Sequence, residues 1–518
     1  MGSSSRYDLT ESLILPTLLF AALGGMTWAV RGSSGYGGVS GCIFAGVMWG
    51  TAWWYIAHDP GREQTRRYSS GWIVLAVSVG VGLAGAQGWM QWPGFFEGRM
   101  YTNYGKNEFV PIPRVHGFIW MFVAGTKWAG LGACLVAWCG SLRETRIWHW
   151  AIRIACGFGG AIFASYLYKA APQNFLPLFD SLQPLYSDLE NYPNLKKVVR
   201  DGGEVFHHMG FYLGFLLYEI GRRDWRNVVL IITVGTVNGF GWSLCQAWTW
   251  APGFWQDASF NWWRCWESSG GISIGLAFGI GYFLVNRPLT DNERFLIASR
   301  SKIAGSNLEW LIVFLSLTGL LYLYLGFRLG GWGEIYFCVV ATFAVAYFLL
   351  KCRRDTGVTT TKSDPNIQRI GLSLGLLTGL GVSIQSGLKG WFNIYKGDEN
   401  YWNDRLWEIL GPAYLIGLVF VVAAILVRPI SRSFTGNVFP WASGVIWLVL
   451  IVQNTLAQLI TGPPWVWNEM AFCIYYALLF LITASIILHF QIRKAHDVNS
   501  CKPLDLPVLE VLRGLPES

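Results

Sequence analysis

Glutamine, tryptophan, arginine and glutamate recur in this chain in one repeated order, and together they can hold a polar solute. Gly80, Gly82, Gln87 and Trp89 precede Pro93, Gly94, Phe95 and Phe96; the same order returns without a gap as Gly239, Gly241, Gln246, Trp248, Pro252, Gly253, Phe254 and Trp255. A gapped copy follows at Gly379, Gly381 and Gln385, and it matches the second copy better downstream. There Trp263, Arg264, Trp266 and Glu267 are answered by Trp402, Arg405, Trp407 and Glu408. Amides, carboxylates and guanidinium groups hydrogen-bond directionally to hydroxyls and carboxylates, while indole faces take the apolar side of a sugar ring or a cation. The candidate solute-binding residues are therefore Gln87, Trp89, Lys127, Gln246, Trp248, Arg264, Glu267, Gln385, Arg405 and Glu408. A plainer reading competes for each glutamate: at a helix start it complements the dipole, and it can pair with Arg264 or Arg405 at headgroup level. Tryptophans at span ends also serve as an interfacial belt.

Three further features are costly in lipid. Lys127 lies near the middle of an apolar run, where an ammonium must face a cavity or a partner, so a solute or proton route is the default expectation. Arg153 stands closer to the end of its run, where snorkelling to the interface suffices. Glu204 and His208 are four residues apart, on one face of a helix, with His207 beside them. That spacing suits a proton relay, but two ligands make no metal site.

The elements that position these residues are membrane helices. Hydrophobic residues make up 53% of the 518 and charged ones 14%, against about 25% charged in a soluble domain, and mean hydropathy is +0.36. Apolar runs of about 20 residues, enough to cross about 30 Å of hydrocarbon as helix, recur from end to end. They fall at roughly 12–30, 38–57, 71–90, 116–139, 147–168, 204–221, 227–246, 266–286, 306–327, 333–351, 369–388, 406–428, 440–460 and 466–490. The expectation is an all-α polytopic membrane protein of about 14 transmembrane helices. Residues 1–490 would form one transmembrane domain with repeated helical hairpins at 71–139, 227–286 and 369–428 inside four-helix units, and 491–518 a cytoplasmic tail.

Loops after even-numbered spans carry Arg62, Arg66 and Arg67, then Arg143 and Arg146, then Arg222, Arg223 and Arg226, then Arg287, Arg294 and Arg300. With the termini, about 24 of the 39 Lys and Arg fall on one side, which puts both termini in the cytoplasm and the protein in the inner membrane. The net charge of +8 then belongs to loops facing anionic lipid and points to no nucleic acid. The glycine count of 61 suits close helix approach, or helices weakened near their outer ends to line a cavity.

Several chemistries leave no trace in the sequence. There is no phosphate-binding GxxxxGK[ST] loop, no HExxH, and no cysteine–histidine cluster for haem or iron–sulfur, so no cofactor is expected. The function expected first is transport of a polar organic solute, a sugar or acidic sugar, driven by an ion or proton gradient. A second reading is an outer-face transferase acting on a lipid-linked sugar or acyl donor, with Glu204, Glu267 or Glu408 as general base and His207 or His208 assisting. A third is a structural subunit of a larger membrane complex. The partners expected are membrane lipid, a small polar solute, and further copies or subunits docked on glycine-rich faces.

Overall fold

The computed structural model describes residues 8–33, 38–58, 66–85, 92–141, 143, 147–255, 261–290, 292–293, 365–382, 441–461 and 467–500. These residues are 83% helical. Six helices among them are long and apolar enough to cross a membrane: Thr10–Arg31, Val115–Cys139, Trp148–Ala170, Trp225–Phe254, Trp262–Val285 and Glu469–His496. The all-α membrane class follows from them. The expected spans at 306–327, 333–351 and 406–428 lie outside the described residues.

In chain order the helices are α1 (Leu15–Ser33), α2 (Gly38–Ala57), α3 (Trp72–Ala84), α4 (Trp92–Glu97), α5 (Val115–Cys139), α6 (Ile147–Ala170), α7 (Gln183–Ser187), α8 (Pro193–Gly221), α9 (Trp225–Cys245), α10 (Ala251–Phe254), α11 (Trp262–Val285), α12 (Pro365–Leu376), α13 (Trp441–Thr461) and α14 (Trp467–Ser500). An antiparallel hairpin of β1 (Arg99–Asn103) and β2 (Glu108–Pro111) occupies the connection from α4 to α5. Two boundaries differ from the sequence reading. Helix α8 opens at Pro193, well before the expected span at 204, because Pro at its start tolerates the missing N–H. Helix α14 runs on through the expected tail as far as Ser500.

Glycine holds the bundle together by close approach. Gly271, Gly275 and Gly279 recur every four residues along α11 and face α1, so tightly that an added Cβ would stand 2.0 Å from the Gly24 carbonyl oxygen, 2.1 Å from that of Phe20 and 2.5 Å from the Thr17 Cα. Helices α6 and α8 meet the same way, with Gly160 and Gly210 each 2.3 Å from the other's carbonyl by that measure. Backbone contact of this kind supplies packing where lipid provides no hydrophobic driving force. Helix α9 continues through Gly239 and Gly241, so those glycines admit Thr126 and Ser273 as neighbours without breaking the helix.

The two ends of the bundle differ in chemistry. At one end Arg67 donates to Asp224 at 2.6 Å and to the Gly140 carbonyl, Ser141 donates to Asp224 at 2.8 Å, and Asn286 exchanges two hydrogen bonds with the Tyr68 backbone. The connections after α2, α5, α8 and α11, grouped by their charge in the sequence, therefore meet at this end. Glu11 pairs there with His489 and Arg493, and Lys494 donates to the Tyr55 and His58 carbonyls. The opposite end carries the β-hairpin and the short helices α4 and α10, which contain the two Pro-Gly-Phe copies. Phe96 packs 6.5 Å from Trp250 and Tyr186 donates to the Met100 sulfur, tying the connections there to one another.

Candidate functional site: a tryptophan box around a buried ion pair

Arg31 lies in the last turn of α1 and Glu267 in the second turn of α11; the glycine seam brings these turns together. Arg31 NH1 donates to Glu267 Oε2 at 3.2 Å, and both side chains are buried, at 1% and 0% exposure. The plainer sequence reading, a Glu267–Arg264 pair at headgroup level, is corrected here. Arg264 instead reaches Glu469 on α14 at 2.5 Å, while its backbone N–H is capped by the Asn261 side chain at 3.0 Å.

Indoles from four helices wall the pair. The Arg31 guanidinium stands 4.3 Å from the centre of the Trp28 ring and 5.8 Å from that of Trp128. Trp128 and Trp242 meet edge-on at 4.9 Å, Trp28 and Trp242 at 6.0 Å, and Trp242 lies 4.9 Å from Trp266. Such rings stabilise a desolvated cation by about 2 kcal/mol or more each. They also exclude water, which strengthens every electrostatic interaction inside.

Lys127, at mid-helix in α5, is fully buried beside this box, with its Nζ 5.5 Å from the Trp128 ring centre. It donates to the Ala84 carbonyl at 2.9 Å, one of the acceptors left over at the end of α3. It forms no ion pair among the described residues, so the box sets two basic side chains, Arg31 and Lys127, beside one described acidic side chain, Glu267. Gln246 closes the end of α9; its Nε2 donates to the Trp242 carbonyl at 3.0 Å.

Much hydrogen-bonding capacity in this cluster is unused. Glu267 Oε1, Gln246 Oε1 and the indole N–H groups of Trp28, Trp128 and Trp242 are buried without a hydrogen-bond partner among the described residues. Each such group costs about 1–3 kcal/mol when left bare. Hydroxyl and carboxylate groups are the kinds of partner that could satisfy them.

The other expected site residues fall elsewhere. Trp248 belongs to the rim, stacked 5.8 Å from Trp262. Gln87, Trp89, Gln385, Arg405 and Glu408 lie outside the described residues. Glu204, His207 and His208 line a separate pocket between α6 and α8, where His207 Nδ1 meets Ser165 Oγ at 2.9 Å. Among the described residues no group of three His, Cys, Asp or Glu side chains is arranged to hold a metal ion.

Arg153 does not snorkel, contrary to the sequence reading. It is 1% exposed and pairs with Glu219 at 2.7 Å, and Asn227 links Glu219 onward to Asp224. Burial between α6 and α8 leaves the guanidinium no path to the interface, so the chain supplies a counter-charge instead. Trp28 and Trp242 also escaped the sequence reading. Their signal was local: Trp28 precedes Arg31 by three residues and Trp242 precedes Gln246 by four, each on one helical face.

No protein-family model matches the chain, and no curated protein or solved structure matches it either.

Proposed function

We propose that this protein is a multi-pass transporter of a polar organic solute of the sugar or acidic-sugar class, with the tryptophan box as its binding site. The observation that carries the reading is the buried Arg31–Glu267 pair with Lys127 beside it, walled by indoles of which the Trp28, Trp128 and Trp242 N–H groups have no hydrogen-bond partner among the described residues. Ionisable groups are expensive inside a bilayer, and they mark substrate or ion pathways when they face the bundle interior. The excess positive charge suits a carboxylate, the bare acceptors of Glu267 and Gln246 suit hydroxyls, and the ring faces suit the apolar side of a pyranose. Without a nucleotide-binding motif, uphill movement would draw on an ion or proton gradient, with Lys127, Glu204 and His208 as the groups able to exchange a proton.

In this reading the Arg67 end and both termini are cytoplasmic, the β-hairpin end faces outward, the membrane is the inner one, and the full chain has about 14 spans built from duplicated hairpins. The test is binding of neutral sugars and uronic acids to the purified full chain, read by tryptophan fluorescence, followed by counterflow in vesicles. A uronic acid should bind the wild type and fail on Lys127→Met and Glu267→Gln. Unchanged binding in both variants would remove the box as the solute site.

A further inference from the structure

Away from the box, α6 and α8 enclose a pocket of about 300 Å³. Helical spacing puts Ser165 and Lys169 one turn apart on α6, and Glu204, His207 and His208 together on α8; all five line it. Ser165 is the anomaly among them. A hydroxyl inside a helix commonly returns to the carbonyl four residues earlier, as Thr27, Ser78 and Thr126 do at 2.8, 2.6 and 2.8 Å. Among the described residues Ser165 makes no such bond, and its Oγ meets His207 Nδ1 across the helix interface at 2.9 Å.

The surroundings suit proton transfer between the two. Phe211 stands edge-on to the His207 ring at 5.2 Å and His208 at 5.7 Å, which fixes the imidazole's orientation. In the tautomer protonated at Nε2, Nδ1 accepts the Ser165 hydroxyl proton. Glu204, one turn earlier in the same lining, offers a carboxylate to the imidazolium that then forms. The formal charges balance. Asp201 holds Arg200 through Nε at 2.9 Å and Nη2 at 2.8 Å, and the Lys169 ammonium, which forms no ion pair among the described residues, is offset by Glu204. A pocket without net charge fits a neutral ester better than an anion.

We propose that Ser165 is a nucleophile with His207 as its base, and that the pocket accepts the acyl group of a short-chain carboxylic ester. The Ser165 oxygen attacks the ester carbonyl carbon while its proton passes to His207 Nδ1. Lys169 stabilises the oxyanion of the tetrahedral intermediate. As that intermediate collapses, the ester C–O bond breaks and the alcohol leaves with the proton from His207, so acyl-Ser165 remains. Water then attacks the acyl carbon with His207 again as base, releasing the carboxylic acid and restoring the hydroxyl. A volume of about 300 Å³ is at the small end of ligand sites and keeps the acyl chain short. No residue of the tryptophan box takes part, so this site stands or falls apart from the transport reading.

The test treats the purified full chain in non-ionic detergent with a fluorescent fluorophosphonate and, separately, with p-nitrophenyl butyrate. The wild type should take up the fluorophosphonate at Ser165, located by peptide mass spectrometry, and should hydrolyse the ester. Ser165→Ala should abolish both, and His207→Gln should slow labelling by about a hundredfold or more. Lys169→Met should lower kcat for the ester and leave KM little changed, a split that a merely structural lysine would not produce. Ser187, exposed and bonded to the Gln183 carbonyl, is the control, and Ser187→Ala should label as the wild type does. A folded wild type that stays unlabelled at Ser165 would overturn the proposal, and that result needs no variant to fold. So would undiminished ester hydrolysis in Ser165→Ala.

Discussion

Arg31 and Glu267, 236 residues apart in sequence, form a buried ion pair 3.2 Å long between the first helix and the eleventh. Taking two charges out of water is costly, and the pair survives because each supplies the other's counter-charge. Removing one partner alone strands the other. Arg31→Met or Glu267→Gln should therefore each destabilise the protein, by up to about 3–5 kcal/mol for the full loss of charge balance. The Arg31→Met/Glu267→Gln double variant should cost less than the sum. Unfolding midpoints of the four proteins in detergent check this, and strict additivity would mean that the pair does not act as a unit.

Lys127→Met should behave differently. An apolar side chain of similar length is well tolerated in a buried helix, so expression and thermal stability should change little while solute uptake is lost. Parallel measurement of melting and counterflow separates the two; equal loss of both would assign Lys127 a structural role.

Arg153 engages Glu219 through Nε and NH2 together, at 2.9 and 2.7 Å. Lysine cannot reproduce that two-point grip. Arg153→Lys should lower the unfolding midpoint, whereas a snorkelling arginine would accept lysine freely.

The glycine seam makes a position-specific forecast. Gly275→Val would drive a side chain into the Phe20 carbonyl, while Gly159 has nothing within 4 Å of an added Cβ. Gly275→Val should cost about 1–3 kcal/mol or prevent assembly, and Gly159→Val should be nearly neutral. Comparable losses at both sites would contradict the α1–α11 packing.

Single cysteines test the sidedness of the bundle. Lys106→Cys, in the exposed turn of the β-hairpin, should react with an impermeant maleimide added outside cells, and Arg287→Cys should react only after permeabilisation. The opposite pattern would reverse the assignment of the two ends, and labelling of both from one side would contradict it.

The sequence by itself determined that this is a helical membrane protein, because apolar runs of span length and the scarcity of charge are properties of composition and local order. Charge alternation likewise grouped the connections around Arg67, Arg143, Arg223 and Arg287, since each loop carries its own charge. Lys127 was legible as a costly ion from its position within one run. Partner choice was not legible. Whether Glu267 meets Arg264, three residues away, or Arg31, on the first helix, depends on which helices neighbour each other, and that is decided by glycine seams matching across hundreds of residues. The same holds for Arg153 and Glu219, and for Trp28, Trp128 and Trp242, whose indoles form a box only after three helices converge. Helical period places a side chain on a face; the tertiary packing alone determines what stands opposite.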